Sequence, residues 1–165
     1  MNSVRIKAAL CIFLTILQMS YIFVMSAQDS EDSSVISAFV SKIVGQFTVE
    51  DFRDKSKQEQ DDIVSSIDSP LREVAHFIEY AILGALLYLD LYYCFYRKGK
   101  RVLILTAAFM IGVIYAVTDE IHQIHVPGRA FEIFDIGLDS AGTLAGVLLT
   151  FLIMKIRSRK NEHTS

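Results

Sequence analysis

Four apolar runs, over residues 8–27, 74–96, 102–118 and 136–154, constrain this chain more than any other feature. At about 1.5 Å of rise per helical residue, a run of about twenty residues crosses the roughly 30 Å hydrocarbon layer of a bilayer. Backbone N–H and C=O groups in hydrocarbon must bond within their own segment, so each run is expected to be a transmembrane helix, the third being somewhat short. The expected fold is all-α: a polytopic membrane protein with four transmembrane helices, forming one domain over residues 1–165. The first run also has the outline of a signal peptide, with Ser26 and Ala27 as small residues at its end, but its length favours a retained helix.

Residues 28–71 differ in character, with acidic and Ser-rich patches at 29–34, 50–55 and 58–62. They are expected to form a water-exposed external loop. Within it Val35, Ile36, Phe39, Val40, Ile43 and Val44 recur at helical spacing, the pattern of an amphipathic helix at a membrane surface. A second, weaker helix is expected over residues 48–67, opening on the capping-box pattern Thr48-x-x-Asp51. The plainest role for this amphipathic connector is to cover the bundle.

The formal net charge is only −3, and its use is in topology rather than in partners, since no basic surface suited to nucleic acid stands out. Arg5 and Lys7, the cluster at 97–101 and the tail at 155–160 fall on one side of the bilayer if there are four spans. Basic residues favour the cytoplasmic side, so both termini are expected there, in a multi-pass protein of the cell membrane. The acidic loop and the segment 119–135 then face outward. Cys11 and Cys94 lie in apolar runs and are expected to be packing residues rather than a disulfide or a nucleophile.

A dense polar knot runs from Thr118 to Arg129 between the third and fourth spans and continues through Asp135 and Asp139. Ionisable residues are expensive where a chain leaves hydrocarbon, and they are usually functional there. On the second helix Arg72, His76, Glu79 and Tyr80 share one face of the outer end, and on the third Tyr115, Asp119 and Gln123 form a row with Glu120 one step round. Asp139 lies one turn beyond Asp135, above a Gly142-x-x-x-Gly146 stripe of the kind that lets helices approach closely. That stripe directs the aspartates into the bundle. The acids outnumber Arg72 and Arg129, which points to protonation or a bound cation for some of them, or to a network that only locks helices together. Asp119, Glu120, His122, His125 and Asp135 are of divalent-metal ligand types, but their spacing matches no specific zinc signature, and no cofactor is expected. Asp90, deeper in the second helix, is expected to pair with the cluster at 97–101.

These residues resemble a known family. The run Asp119-Glu120-x-His122-Gln123-x-x-x-Pro127-Gly128-Arg129, followed by Asp135, Asp139, Gly142 and Gly146, resembles the signature of the VanZ-like membrane proteins. Arg72-x-x-x-His76-Phe77-x-x-Tyr80 resembles the start of that family's second helix, and residues 22–28 the end of its first. The chain departs from the common pattern with Asp139 in place of a frequent asparagine and Glu73 in place of a frequent basic residue.

The resemblance implies a small bacterial envelope protein, of a family named for a member that confers low-level resistance to teicoplanin, and it implies no settled reaction. Two readings follow. In the first, the site acts at the outer leaflet on a lipid-linked envelope precursor or an anionic lipid head group. There Asp119 and Glu120 serve as general acid and base with His76, and Arg72 and Arg129 hold the anion, because guanidinium forks match phosphate and carboxylate. Gln123, Asp135, Asp139 and Tyr80 complete the binding set. In the second the cluster is structural, and the protein is a non-catalytic scaffold in the bilayer.

Overall fold

Every segment that the pattern marks as apolar is helical. The computed structural model describes residues 2–27, 30–95 and 100–163, and among them are five α-helices and no β-strand. These are α1 (Asn2–Ser26), α2 (Ser30–Thr48), α3 (Lys57–Phe95), α4 (Arg101–Gln123) and α5 (Ile133–His163). All but α2 are long and apolar enough to cross a membrane. Their outward surfaces carry Phe13, Ile16, Leu103, Ile114, Leu149 and Leu152, all exposed, as expected of side chains that meet lipid rather than water. Gln28, Asp29 and residues 97–99 of the basic cluster lie outside the described residues, as do the side chains of Val35, Ile36, Arg159 and Lys160.

The helix α3 is the centre of the bundle, and α1, α2, α4 and α5 all pack on it. Its seam with α5 is built from small residues. A Cβ added at Gly142 would meet the Phe77 carbonyl, one at Gly146 the Ala81 carbonyl, and one at Gly84 the Thr143 carbonyl, so the two backbones touch directly along about two turns. Gly112 of α4 faces the Thr143 side chain, which brings three helices together at one buried threonine. Below this seam Tyr88, Leu83, Leu87, Ala108 and Val147 form the apolar core with Ile22 of α1.

By contrast Gly137, near the start of α5, has nothing within 4 Å of an added Cβ. Gly137→Ala is therefore expected to stabilise the protein by up to about 1 kcal/mol through helix propensity alone, read as a raised melting temperature in detergent.

The second span differs from its expected extent. There is no separate helix over 48–67; instead α3 begins at Lys57 and runs unbroken into the bundle for 39 residues. The capping box sits at Ser56-x-x-Glu59, where the Ser56 N–H and hydroxyl donate to Glu59 Oε2 at 2.9 and 2.7 Å. Thr48 closes α2 instead, its hydroxyl donating to the Val44 carbonyl at 2.8 Å. A tight turn through Phe52–Asp54, with Asp51 at φ 55°, reverses the chain, and Phe52 is buried against Gly45. Pro70 is tolerated inside α3 because it is exposed and faces the same water-accessible side as Ser66, whose carbonyl loses its helical donor.

The connector helix α2 also packs differently from its apolar pattern. Among its described side chains Ser41 and Gly45 are the buried ones, with the Ser41 hydroxyl 3.3 Å from Asp68 Oδ1, while Phe39, Ile43 and Phe47 are exposed on the other side. Small residues meet the bundle and large apolar ones point away from it, as on a helix that rests against a bilayer surface.

Polar groups divide between the two ends. Lys7 of α1, Tyr92 of α3, and Met154 and Arg157 of α5 surround one cavity, and the Arg101 guanidinium donates to Ser158 Oγ at 2.8 Å beside it. Asp90 accepts from the Thr15 hydroxyl of α1 at 2.6 Å, while residues 97–99 of the cluster expected to pair with it lie outside the described residues. Cys11 is buried and Cys94 exposed, and neither forms a disulfide, so the packing role expected of Cys94 does not hold.

Candidate functional site

The opposite end gathers the polar knot. The last two turns of α4 put Asp119, Glu120 and Gln123 inside the bundle, each no more than 3% exposed. Asp119 Oδ2 accepts from the Ser26 hydroxyl at 2.6 Å, a buried bond tying the end of α1 to α4. Glu120 Oε2 accepts from the Glu132 backbone N–H at 2.8 Å, which fastens the connection between α4 and α5 back onto α4. In that connection His125, Val126 and Arg129 donate backbone N–H groups to His122, Gln123 and Val126 carbonyls, and Gly128 takes φ 75°, a conformation a side chain would strain. This turn holds Arg129 over the end of the bundle.

On α3, Arg72 donates through Nε to Ser37 Oγ at 3.3 Å and pairs with Asp68 at 3.3 Å, so α2 and the preceding turn of α3 orient its guanidinium. One turn deeper, His76 Nδ1 lies 3.7 Å from Asp139 Oδ1, within ion-pair range though longer than a hydrogen bond. Asp139 is 1% exposed, so the small-residue stripe of α5 does turn it inward, whereas Asp135, one turn earlier, is half-buried. Tyr80 is fully buried beside Tyr115, whose hydroxyl donates to the Met19 carbonyl at 2.6 Å. Tyr80 Oη, Asp119 Oδ1 and Asp139 Oδ1 are buried with no hydrogen-bond partner among the described residues. Groups of this kind are costly in a core.

Two cavities open beside this cluster. One, of about 330 Å³, lies between α1, α2 and α3 and is walled by Tyr21, Met25, Val40, Leu71 and Glu79 together with Arg72, His76 and Arg129. The second, of about 220 Å³, is a polar vestibule walled by Asp68, Glu73, Glu132 and Asp135 with the same Arg72, His76 and Arg129. Burial pushes the Arg129 guanidinium below its ordinary pKa, and the Arg72 charge adds to this, while Asp135, Glu120 and Asp119 act in the opposite sense. Two guanidiniums facing shared space repel each other and favour an anion between them.

Of the residues expected to act, Arg72, His76 and Arg129 line both cavities, and Asp135 lines the vestibule. Asp119, Glu120, Gln123, Tyr80 and Asp139 sit behind that wall, buried in the bundle. Among the described residues no group of three or more His, Cys, Asp or Glu side chains is placed to hold a metal ion. His125 is exposed with Nδ1 3.2 Å from the Ile121 carbonyl of its own helix, and the His122 ring stacks on Phe23 at 4.4 Å. Sequence reasoning missed Tyr21 and Met25 as cavity walls, although Leu14, Leu17, Tyr21 and Met25 form a helical stripe on α1 that signals one lining face.

The family model described as VanZ/LLP1 matches residues 11–154, which reaches from within the first span into the fourth and takes in the whole polar cluster. The chain belongs to the VanZ/LLP1 family. Among curated proteins and among solved structures nothing matches it. Within this VanZ/LLP1 chain the Ser26–Asp119, His76–Asp139 and Glu120–Glu132 contacts all fall inside the match.

Proposed function

We propose that this VanZ/LLP1 protein acts in a bacterial cell membrane on a lipid-linked component of the envelope, and thereby lowers sensitivity to glycopeptides such as teicoplanin. The observation that carries this reading is the shared wall of the two cavities, where Arg72, His76 and Arg129 line both a largely apolar cavity, which also holds Glu79, and the polar vestibule beside it. Two guanidinium forks at a water–lipid boundary suit a phosphate or carboxylate on an amphipathic molecule. In the catalytic form of this reading His76 is the acid–base group at the cavity, oriented by Asp139, and Asp119 and Glu120 exchange protons with it from behind.

The scaffold reading has an observation of its own. Each buried acid crosses a boundary between elements, Asp119 to α1, Asp139 to α3 and Glu120 to the connection before α5, as struts would. Arg72 separates the two readings. Its ion pair with Asp68 is 30% and 22% exposed, so it contributes at most about 1 kcal/mol to stability. Expression of the wild type in a teicoplanin-sensitive host is expected to reduce susceptibility, and Arg72→Ala to restore it with little change in protein level. Undiminished protection by Arg72→Ala would count against the anion site.

The reading also places the site on the outer face, with both termini and the segment 97–101 in the cytoplasm. Reporter fusions after Arg97 and at the C terminus are expected to report cytoplasmic, and one near Glu59 external. A C terminus outside the cell would reverse the assignment.

A further inference from the structure

We propose that the molecule held at this site is a zwitterionic phospholipid, one whose phosphodiester is followed by an ammonium group, lying along α1 and α3. The inference rests on the anion-site reading above and names its ligand class. Three spaces join end to end. An apolar groove of about 560 Å³ runs down the α1–α3 surface between Leu14, Leu17, Ile82 and Leu86, and its upper residue, Tyr21, is also a wall of the arginine cavity. That cavity in turn shares Arg72, His76 and Arg129 with the acidic vestibule. Apolar groove, paired cations and acidic vestibule follow one another in the order of acyl chain, phosphate and ammonium.

The volumes agree with this order. The arginine cavity has room for about ten water volumes, enough for a glycerophosphate and too little for a folded chain. The groove is walled by leucine and isoleucine and faces the same side as the exposed Ile78 and Ile82 of α3, so an acyl chain enters it sideways from the bilayer. In the vestibule Asp68 is engaged with Arg72, while Glu73, Glu132 and Asp135 share the wall with Arg72, His76 and Arg129. A purely anionic head group would bring its polar end against these three carboxylates, whereas an ammonium compensates them. The connector helix α2 roofs the arginine cavity through Ser37 and Val40.

The test uses the full-length protein purified in detergent, with native mass spectrometry of bound phosphatidylethanolamine and phosphatidylglycerol of matched acyl chains. Phosphatidylethanolamine is expected to bind about tenfold more tightly, the value of one charge-assisted hydrogen bond. Glu132→Gln combined with Asp135→Asn is expected to bring the ratio near one. Glu73→Gln, a milder variant at a half-buried position, is expected to lower it by about threefold. A wild-type preference for phosphatidylglycerol, equal binding of the two, or a ratio unchanged in both variants overturns the inference. Arg129→Lys distinguishes the two levels: weakened binding of both lipids, with no preference between them in the wild type, sinks only the zwitterionic assignment. Binding of both lipids that is indifferent to Arg129→Lys sinks the anion site itself, and this inference with it.

Discussion

Gly146→Leu is expected to cost more than about 3 kcal/mol and to lower the melting temperature in detergent by about 10 °C. The first atom of any side chain at this position falls on the Ala81 carbonyl, and backbone cannot move aside as a flexible side chain can. The variant must therefore separate α5 from α3, or bend one of them. Either movement also displaces Asp139 from His76, since Asp139 lies two turns along the same face of α5. Loss of any ligand binding should accordingly track loss of stability in this variant, in contrast to Gly137→Ala, where the added methyl meets nothing. A melting temperature unchanged by Gly146→Leu would mean that the α3–α5 seam is not closely packed.

That seam was legible in the sequence because Gly142 and Gly146 repeat at the spacing of one helix face, a local pattern with a local cause. The four spans were legible for the same reason. What the sequence concealed depends on contacts between distant residues or on solvent. The true start of α3 was hidden by the competing Thr48-x-x-Asp51 pattern. The glutamate of Ser56-x-x-Glu59 reaches back to its cap with a longer side chain than Asp51 has. The apolar stripe of α2 identified the helix correctly, yet among its described side chains the buried ones are Ser41 and Gly45, which face Asp68 and Phe52, while Phe39, Ile43 and Phe47 point away.

In the candidate site, Arg72, His76, Asp119, Glu120, Arg129, Asp135 and Asp139 announced themselves by type and by position at span ends. Their division into a cavity wall and a buried layer did not. Ser26 meets Asp119 across 93 residues and Glu120 meets a backbone N–H, and neither contact leaves a trace in spacing. The vestibule acids Asp68, Glu73 and Glu132 were invisible for a simpler reason: they lie in segments rich in exposed charge, where nothing distinguishes a wall residue from a solvated one.

Arg129→Lys is expected to have the second large effect, on function rather than on folding. Lysine keeps the charge and loses the planar fork, so an anion gripped by two guanidiniums loses a bidentate contact, and protection against teicoplanin should disappear while the melting temperature barely moves. A strut behaves differently. Removing one partner of a buried ion pair costs about 3–5 kcal/mol, and neutralising the other partner returns much of it. The decisive measurement is a double-mutant cycle of Arg129→Ala with Glu120→Gln, following melting temperature and teicoplanin susceptibility together. An anion site at Arg129 predicts that protection is lost in Arg129→Ala and stays lost in the double variant, with stability largely intact throughout. Recovery of both stability and protection when Glu120→Gln is added to Arg129→Ala would contradict it and leave the cluster a structural strut.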